Sequence, residues 1–265
     1  MQASGTNKAK IAKRVIEVLD YFDADHSTAT VMDIVRRYDR PQSSTSELLS
    51  SLVELGLLYK DMATRSYMLT PRAALLGSAT QPEFVRDGRL AGMVEQLSRQ
   101  TGLSVGLFGM VGLETQIFYW HNGEPALRST TAKGIYGGMQ ERLTQSAVGQ
   151  LLLSTVERRR REGMLRRINA ESAPERQFAF ADMADLVERA GEEGHVAGRA
   201  GFGSIADLCA VMIPDENLSR PLALGILYEP GEATAPAALL ELLRGAIAEC
   251  FAPAEDNVVQ FLSAA

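Results

Sequence analysis

At 265 residues, with 46% hydrophobic and 23% charged side chains, the chain has enough material for two modest domains with separate cores. No apolar run is long enough to cross a bilayer, Met1–Lys13 is polar and basic with no apolar signal core behind it, and Cys209 and Cys250 stand alone; the reading is a cytoplasmic protein without membrane span, disulfide framework or zinc site. The net charge of −6 is uneven: residues 1–75 carry ten Lys and Arg against nine Asp and Glu, so the acidic excess belongs to residues 76–265.

In chain order, Ile11, Val15, Val18, Leu19 and Phe22 recur at helical spacing and predict a first helix with one buried stripe. Thr30 followed by Asp33 reads as a capping box opening a short second helix, whose buried face is Val31, Ile34, Val35 and Tyr38. Asp39-Arg40-Pro41 is a corner, because proline disfavours helix in the residue before it and suits a first helical turn after it. A third helix then buries Leu48, Leu49, Leu52, Val53 and Leu55 and leaves Gln42, Ser43, Ser46, Glu47 and Ser50 outside. Gly56 is placed to end it in a left-handed turn. Leu57-Leu58-Tyr59, the Ala63-Thr64 turn and Tyr67-Met68-Leu69 make a hairpin carrying Lys60 and Arg65. Each part alone also describes an ordinary core; together and in this order they describe a winged helix-turn-helix, with double-stranded operator DNA as the expected partner.

These residues resemble the IclR-type bacterial regulators. The matching stretches are Thr30, Arg40-Pro41-Gln42-Ser43-Ser44, Glu47-Leu48-Leu49, Gly56-Leu57-Leu58, Tyr67-Met68-Leu69 and, downstream, Leu143-Thr144-Gln145-Ser146-Ala147-Val148-Gly149-Gln150-Leu151-Leu152-Leu153. The chain departs from the family pattern at Glu47, where arginine is usual, and at Thr144, Gln150 and Met212, which makes it a divergent member. The near-neutral N-terminal part offers Lys8, Lys10, Lys13, Arg14, Arg36, Arg37, Arg40, Lys60 and Arg65 to phosphates, and a homodimer or homotetramer would multiply that set. Expected DNA contacts are Arg40, Gln42, Ser43, Ser44, Ser46, Glu47, Lys60 and Arg65. Glu47 either reads a base or closes a Ser44–Glu47 capping box.

Pro71–Thr101 is the connector: after Gly77-Ser78, Pro82 opens a helix with Phe84, Leu90, Met93, Val94 and Leu97 at helical spacing, either packed on its own domain or forming a dimer. Domain limits follow as 1–76, 77–101 and 102–265. Ser104–Met110 and Thr115–Trp120 flank a hairpin turn, Ala147–Val156 starts a helix continued by a basic run from Glu157, and Met183, Leu186, Val187 and Ala190 mark another helix ending at Gly191 or Gly194. Leu208–Ile213 and Leu222–Tyr228 are strands around Pro214-Asp215-Glu216-Asn217, and Ala237–Phe251 is a closing helix. The fold class is α+β, with a mixed sheet carrying packed helices, and the resemblance implies a GAF-like effector-binding domain. The glycines at 102, 106, 109 and 112 lack a following Gly-Lys-Ser/Thr, so no phosphate loop is read there.

Catalysis finds no support: His26, His121 and His195 are isolated, and Gln145-Ser146-Ala147-Val148-Gly149 lacks the first glycine of a nucleophile elbow. No metal or cofactor is expected. The family resemblance implies a small organic acid held by backbone amides of Ala147 and Val148 at a helix N-terminus, with Ser146, Leu208, Ile226 and Tyr228 around it. Ile226 and Tyr228 read equally as core strand residues. The function expected is a ligand-responsive regulator, with repression as the outcome; the competing readings are a ligand-independent DNA-binding protein and an enzyme on the C-terminal domain.

Overall fold

A computed structural model describes residues 7–23, 26–128, 130, 134–214, 220–231 and 235–252. The chain forms two units, Met1–Gln81 and Pro82–Ala265.

In the first unit, α1 (Asn7–Asp20), α2 (Val31–Tyr38) and α3 (Gln42–Glu54) precede a hairpin of β1 (Leu58–Lys60) and β2 (Tyr67–Leu69), then a short α4 (Pro71–Leu75). The predicted capping box is present: Thr30 N donates to Asp33 Oδ2 at 2.8 Å, and Asp33 N donates back to Thr30 Oγ1 at 3.4 Å. α3 ends as its glycine requires. Gly56 sits at φ 71°, its N–H donates to Val53 O, and Leu57 N–H donates to Leu52 O, both at 2.9 Å, which satisfies two carbonyls of the last turn. Ala29 bridges Tyr67 and so ties the hairpin to the segment before α2.

The core of this unit is Val18, Ala29, Ile34, Leu49, Leu52, Leu57, Leu58 and Tyr67. Two residues expected inside are outside: Ile11 is 51% exposed and Leu55 61%. Ile11 lies in the first half of α1, whose one buried side chain among the described residues is Val18 further along, and Leu55 caps α3 after its buried stripe has ended.

The second unit begins with two helices, α5 (Glu83–Arg86) and α6 (Arg89–Thr101), split at Asp87-Gly88 where Gly88 takes φ 81°. Then come β3 (Ser104–Val111), β4 (Glu114–His121), β5 (Gln140–Arg142), α7 (Ala147–Ser154), α8 (Arg158–Glu171), α9 (Phe180–Glu193), β6 (His195–Arg199), β7 (Asp207–Met212), β8 (Leu222–Tyr228) and α10 (Pro236–Phe251). The six strands lie in the order β5-β4-β3-β8-β7-β6. Every pairing is antiparallel, which corrects the expectation of a mixed sheet. A tight turn joins β3 to β4 and the loop through Gly201–Gly203 joins β6 to β7, β8 closes back between β3 and β7, and the helical insertion α7–α9 runs from one sheet edge to the other. No crossover between parallel neighbours remains. Of the turn residues 214–217, the last three lie outside the described residues.

The sheet has two buried faces. α7, α8 and α9 cover one, with Val148, Leu151, Leu152, Leu165 and Val187 packed on Phe108, Ile117, Leu208, Ala210, Ala223 and Leu227. α6 and α10 cover the other, with Leu90, Val94, Leu97, Leu243 and Ile247 packed on Val105, Cys209, Leu224, Ile226 and Tyr228. The helix containing Leu90–Leu97 thus completes the core of this unit. The basic run after α7 is a separate helix: Glu157 caps it by accepting from Arg159 N and Arg160 N, and its arginines pair with Glu162 and Glu171 on the same exposed face. Among the described residues no helix is long and apolar enough to cross a membrane.

Candidate nucleic-acid interface and sensor site

In the first unit α2 ends at Tyr38, and Asp39 takes the left-handed conformation at φ 49°. The chain therefore turns one residue before Arg40, and α3 starts at Gln42 with Pro41 as its N-cap. That start places Ser44 inside the helix, so the Ser44–Glu47 capping box does not form. Thr45 is buried and turns its hydroxyl back to Pro41 O at 2.9 Å, locking the first turn. Leu49 and Leu52 fix the inner face, which leaves Gln42, Ser43, Glu47, Ser50 and Glu54 exposed and Ser46 half-buried on the outer side.

Not every expected contact residue faces out. Arg40 Nη2 donates to both oxygens of Glu17 on α1, at 3.2 and 3.0 Å, and its Nε is buried without an acceptor among the described residues. Arg14 on α1 donates to Ser44 Oγ at 3.1 Å. Arg40 and Ser44 therefore brace the corner against α1, because the turn at Asp39 points them at that helix. Beside them, burial pushes the Tyr38 phenol up to about 12. Lys60 and Arg65 are exposed on the hairpin, Lys60 leaning over the Tyr67 ring at 5.6 Å and Arg65 in the left-handed region at φ 58°. α3 itself carries two acids and no base. Cations come from its flanks instead: Arg36 and Arg37 at the exposed end of α2, and the hairpin.

In the second unit α7 starts where expected, and Ser146 is its N-cap, accepting from Gly149 N at 3.3 Å. Ser146, Ala147 and Val148 are all buried, and the amides of Ala147 and Val148 have no protein acceptor among the described residues. Unpaired buried N–H groups at a helix N-terminus favour an anion, since the helix dipole and the free donors converge there. Leu208 joins this site from the sheet face that α7 covers.

Ile226 and Tyr228 do not. They point to the opposite face, against α6 and α10, where Tyr228 Oη lies 3.9 Å from Cys209 Sγ and burial pushes its phenol upward. Strand residues two apart share a face, and in β8 it is Ala223 and Leu227 that meet the α7 side. The expected wall of Ile226 and Tyr228 is therefore corrected to one of smaller residues, with Gly225 lying between Leu208, Phe108 and Ala210.

Two polar residues here lay outside the expected set. Thr115 on β4 is fully buried, and its Oγ1 has no hydrogen-bond partner among the described residues. That hydroxyl lies 2.6 Å from where a Cβ on Gly149 would stand, so it abuts the first turn of α7. Glu141 on β5 accepts from Phe202 N at 2.6 Å through Oε2, while its buried Oε1 has no hydrogen-bond partner among the described residues. A Cβ on Gly201 would collide with that carboxylate, so glycine is required where the loop passes it. Gly201, Phe202 and Gly203 are all left-handed, at φ 78°, 53° and 72°. For Phe202 that conformation costs about 1 kcal/mol, here offset by its buried ring near Phe108 and the bond to Glu141. Burial raises the Glu141 carboxyl to about 7; the Phe202 amide and the Ser146 hydroxyl oppose the rise, Glu114 adds to it, and Arg176 draws it down. The one signal in the sequence was the pair of glycines around Phe202, a mark of an irregular loop.

His26, His121 and His195 lie far from one another in sequence: His26 bonds to Asp23, His121 to the Asn122 carbonyl, and His195 to the Glu193 carbonyl with Arg244 beside it. Among the described residues no group of three His, Cys, Asp or Glu could hold a metal.

Compared with known proteins, residues 12–62 match the family model of the IclR helix-turn-helix domain. No curated protein matches the sequence. Solved structures do. An IclR homolog from Microbacterium hydrocarbonoxydans, complexed with 4-hydroxybenzoate, is 21% identical with a TM-score of 0.57, over 91% of this chain and 97% of that one. The IclR transcriptional regulator of Alicyclobacillus acidocaldarius is 16% identical at a TM-score of 0.57, covering 92% and 97%. The Thermotoga maritima IclR is 17% identical, also at 0.57, covering 91% and 97%. The likeness spans both units and establishes their shared fold.

Proposed function

We infer that this chain, an IclR-type transcriptional regulator by its helix-turn-helix domain and its fold, binds operator DNA through the outer face of α3 and responds to a small organic acid held at the start of α7. The DNA reading rests on one observation above the rest: a corner fixed by Asp39 and Pro41 presents Ser43, Glu47 and Ser50 in a row, with an exposed basic hairpin beside them. Hydroxyls and a carboxylate read base edges, and Lys60, Arg65, Arg36 and Arg37 neutralise phosphates. Since α3 supplies no cation, pairing of two copies on two half-sites provides the charge that one copy lacks. The place of action is the cytoplasm.

The acid reading rests on the free, buried amides of Ala147 and Val148 beside the orphaned Thr115 hydroxyl. The 4-hydroxybenzoate bound by the Microbacterium protein supports the same class of ligand. A ligand that prefers one arrangement of the sensor unit shifts the population competent for DNA, and the resulting control is repression relieved or imposed by that shift. Filling the site with Val148→Trp abolishes ligand effects on operator binding, measured by fluorescence anisotropy, while the unliganded protein still binds. Equal ligand effects in both proteins would move the sensor site elsewhere.

A further inference from the structure

The start of α7 combines features of opposite sign. Ala147 and Val148 offer free N–H donors, which attract a carboxylate. Within the same cluster, Glu141 offers a spare buried acceptor: Oε2 is held by the Phe202 amide, Oε1 has no hydrogen-bond partner among the described residues, and Gly201 seals the loop against it. Ser146 joins the two halves, as the cap of α7 and as a neighbour of the Glu141 carboxyl. Arg142, next in sequence, is engaged with Glu114 at 3.1 Å and Glu171 at 3.0 Å and leaves Glu141 without an ion pair among the described residues.

We propose that Glu141 sets the ligand class of this site, selecting acids that carry a hydroxyl or amino donor near the carboxylate and rejecting acids that lack one. The proposal rests on the sensor reading above and narrows it. A buried acceptor left unpaired carries a desolvation penalty, which a ligand donor removes and a plain hydrocarbon does not. A plain carboxylate bound at the α7 amides would in addition face the Glu141 carboxylate across a water-poor site, and it could stay only if a proton came with it. Charges facing Glu141 from the packed elements are Glu114 on β4, which favours that proton, and Arg176, which opposes it; the neutral groups are the Ser146 hydroxyl and the Phe202 amide. Discrimination of this kind, by a polar group that is unpaired in the wrong complex, is far stronger than discrimination by shape alone.

The test uses matched acids with and without the donor, acetate against glycolate and benzoate against 3-hydroxybenzoate and 3-aminobenzoate, titrated into full-length wild type, Glu141→Gln and Val148→Trp and followed by thermal shift at pH 8. Wild type is expected to bind at least one donor-bearing acid tenfold or more tighter than its parent. Glu141→Gln narrows that ratio by gaining affinity for the parent acid, as does wild type at pH 5.5, and Val148→Trp binds none. Should the parent and donor-bearing acids bind wild type alike, with binding lost in Val148→Trp, the sensor site stands and the role of Glu141 is overturned. Should no acid stabilise wild type or Glu141→Gln, the sensor reading falls and this proposal with it.

Discussion

Replacing Glu141 by glutamine removes the charge and keeps the shape. In the folded chain burial raises the carboxyl from 4.5 to about 7, so the native state binds the proton more tightly than the unfolded chain does. Between those two values the native state holds more protons, and stability falls as pH rises; the loss is complete above about 7. At 1.36 kcal/mol per tenfold change in proton affinity, the penalty of ionising Glu141 at pH 8 amounts to about 3 kcal/mol. Glu141→Gln escapes it, since the amide oxygen can still accept from Phe202 N. The variant should match wild type near pH 4.5 and exceed it by about 3 kcal/mol at pH 8, equivalent to a rise in Tm of roughly 6–12 °C for a unit of this size. Trp120, the one tryptophan of the chain, lies on β4 of the sensor unit, so its fluorescence during urea unfolding follows that unit alone. Parallel stability curves for the two proteins from pH 4.5 to 8 would refute the argument, and a Gln variant less stable at pH 8 would show that the carboxylate is held by favourable partners.

Arg65→Ala should weaken operator binding for all sequences and lower the slope of log affinity against log salt by about 1, read from anisotropy titrations at several salt concentrations. An unchanged slope takes Arg65 out of the interface. Thr30→Ala removes the side-chain half of the α2 capping box, leaving the backbone N–H of residue 30 on Asp33, and should cost about 1 kcal/mol in the first unit, followed by far-UV circular dichroism. Glu47 has no capping role left to it, so Glu47→Gln should alter the preferred base at one position, seen by selection from random duplexes, and leave thermal stability nearly unchanged.

The N-terminal unit was legible because its devices are local. Thr30 and Asp33 cap, Gly56 stops α3, and Pro41 restarts the chain, each within a few residues of its partner. What was not legible there depends on distant packing: the ion pair of Arg40 with Glu17 on α1 joins residues 23 apart in sequence. In the sensor unit β8 is buried along its whole length, so its sequence has no polar alternation to tell one face from the other. Ile226 and Tyr228 were consequently assigned to the wrong side. The break between α7 and α8 was hidden by a continuous helical pattern, and only the cap made by Glu157 separates them. Glu141 was invisible because an acid followed by arginine reads as a solvated pair; its isolation arises from the Gly201–Gly203 loop, sixty residues away in sequence.

The central claim, that the outer face of α3 reads operator DNA, is tested most directly by selecting binding sites from random duplex DNA with wild type and with a Ser43→Ala, Glu47→Ala double variant. The account predicts that wild type enriches two related half-sites spaced by about one helical turn or a multiple of it, and that the folded double variant loses that preference while keeping salt-sensitive, sequence-independent binding. The same motif recovered with the same affinity from both proteins would contradict it.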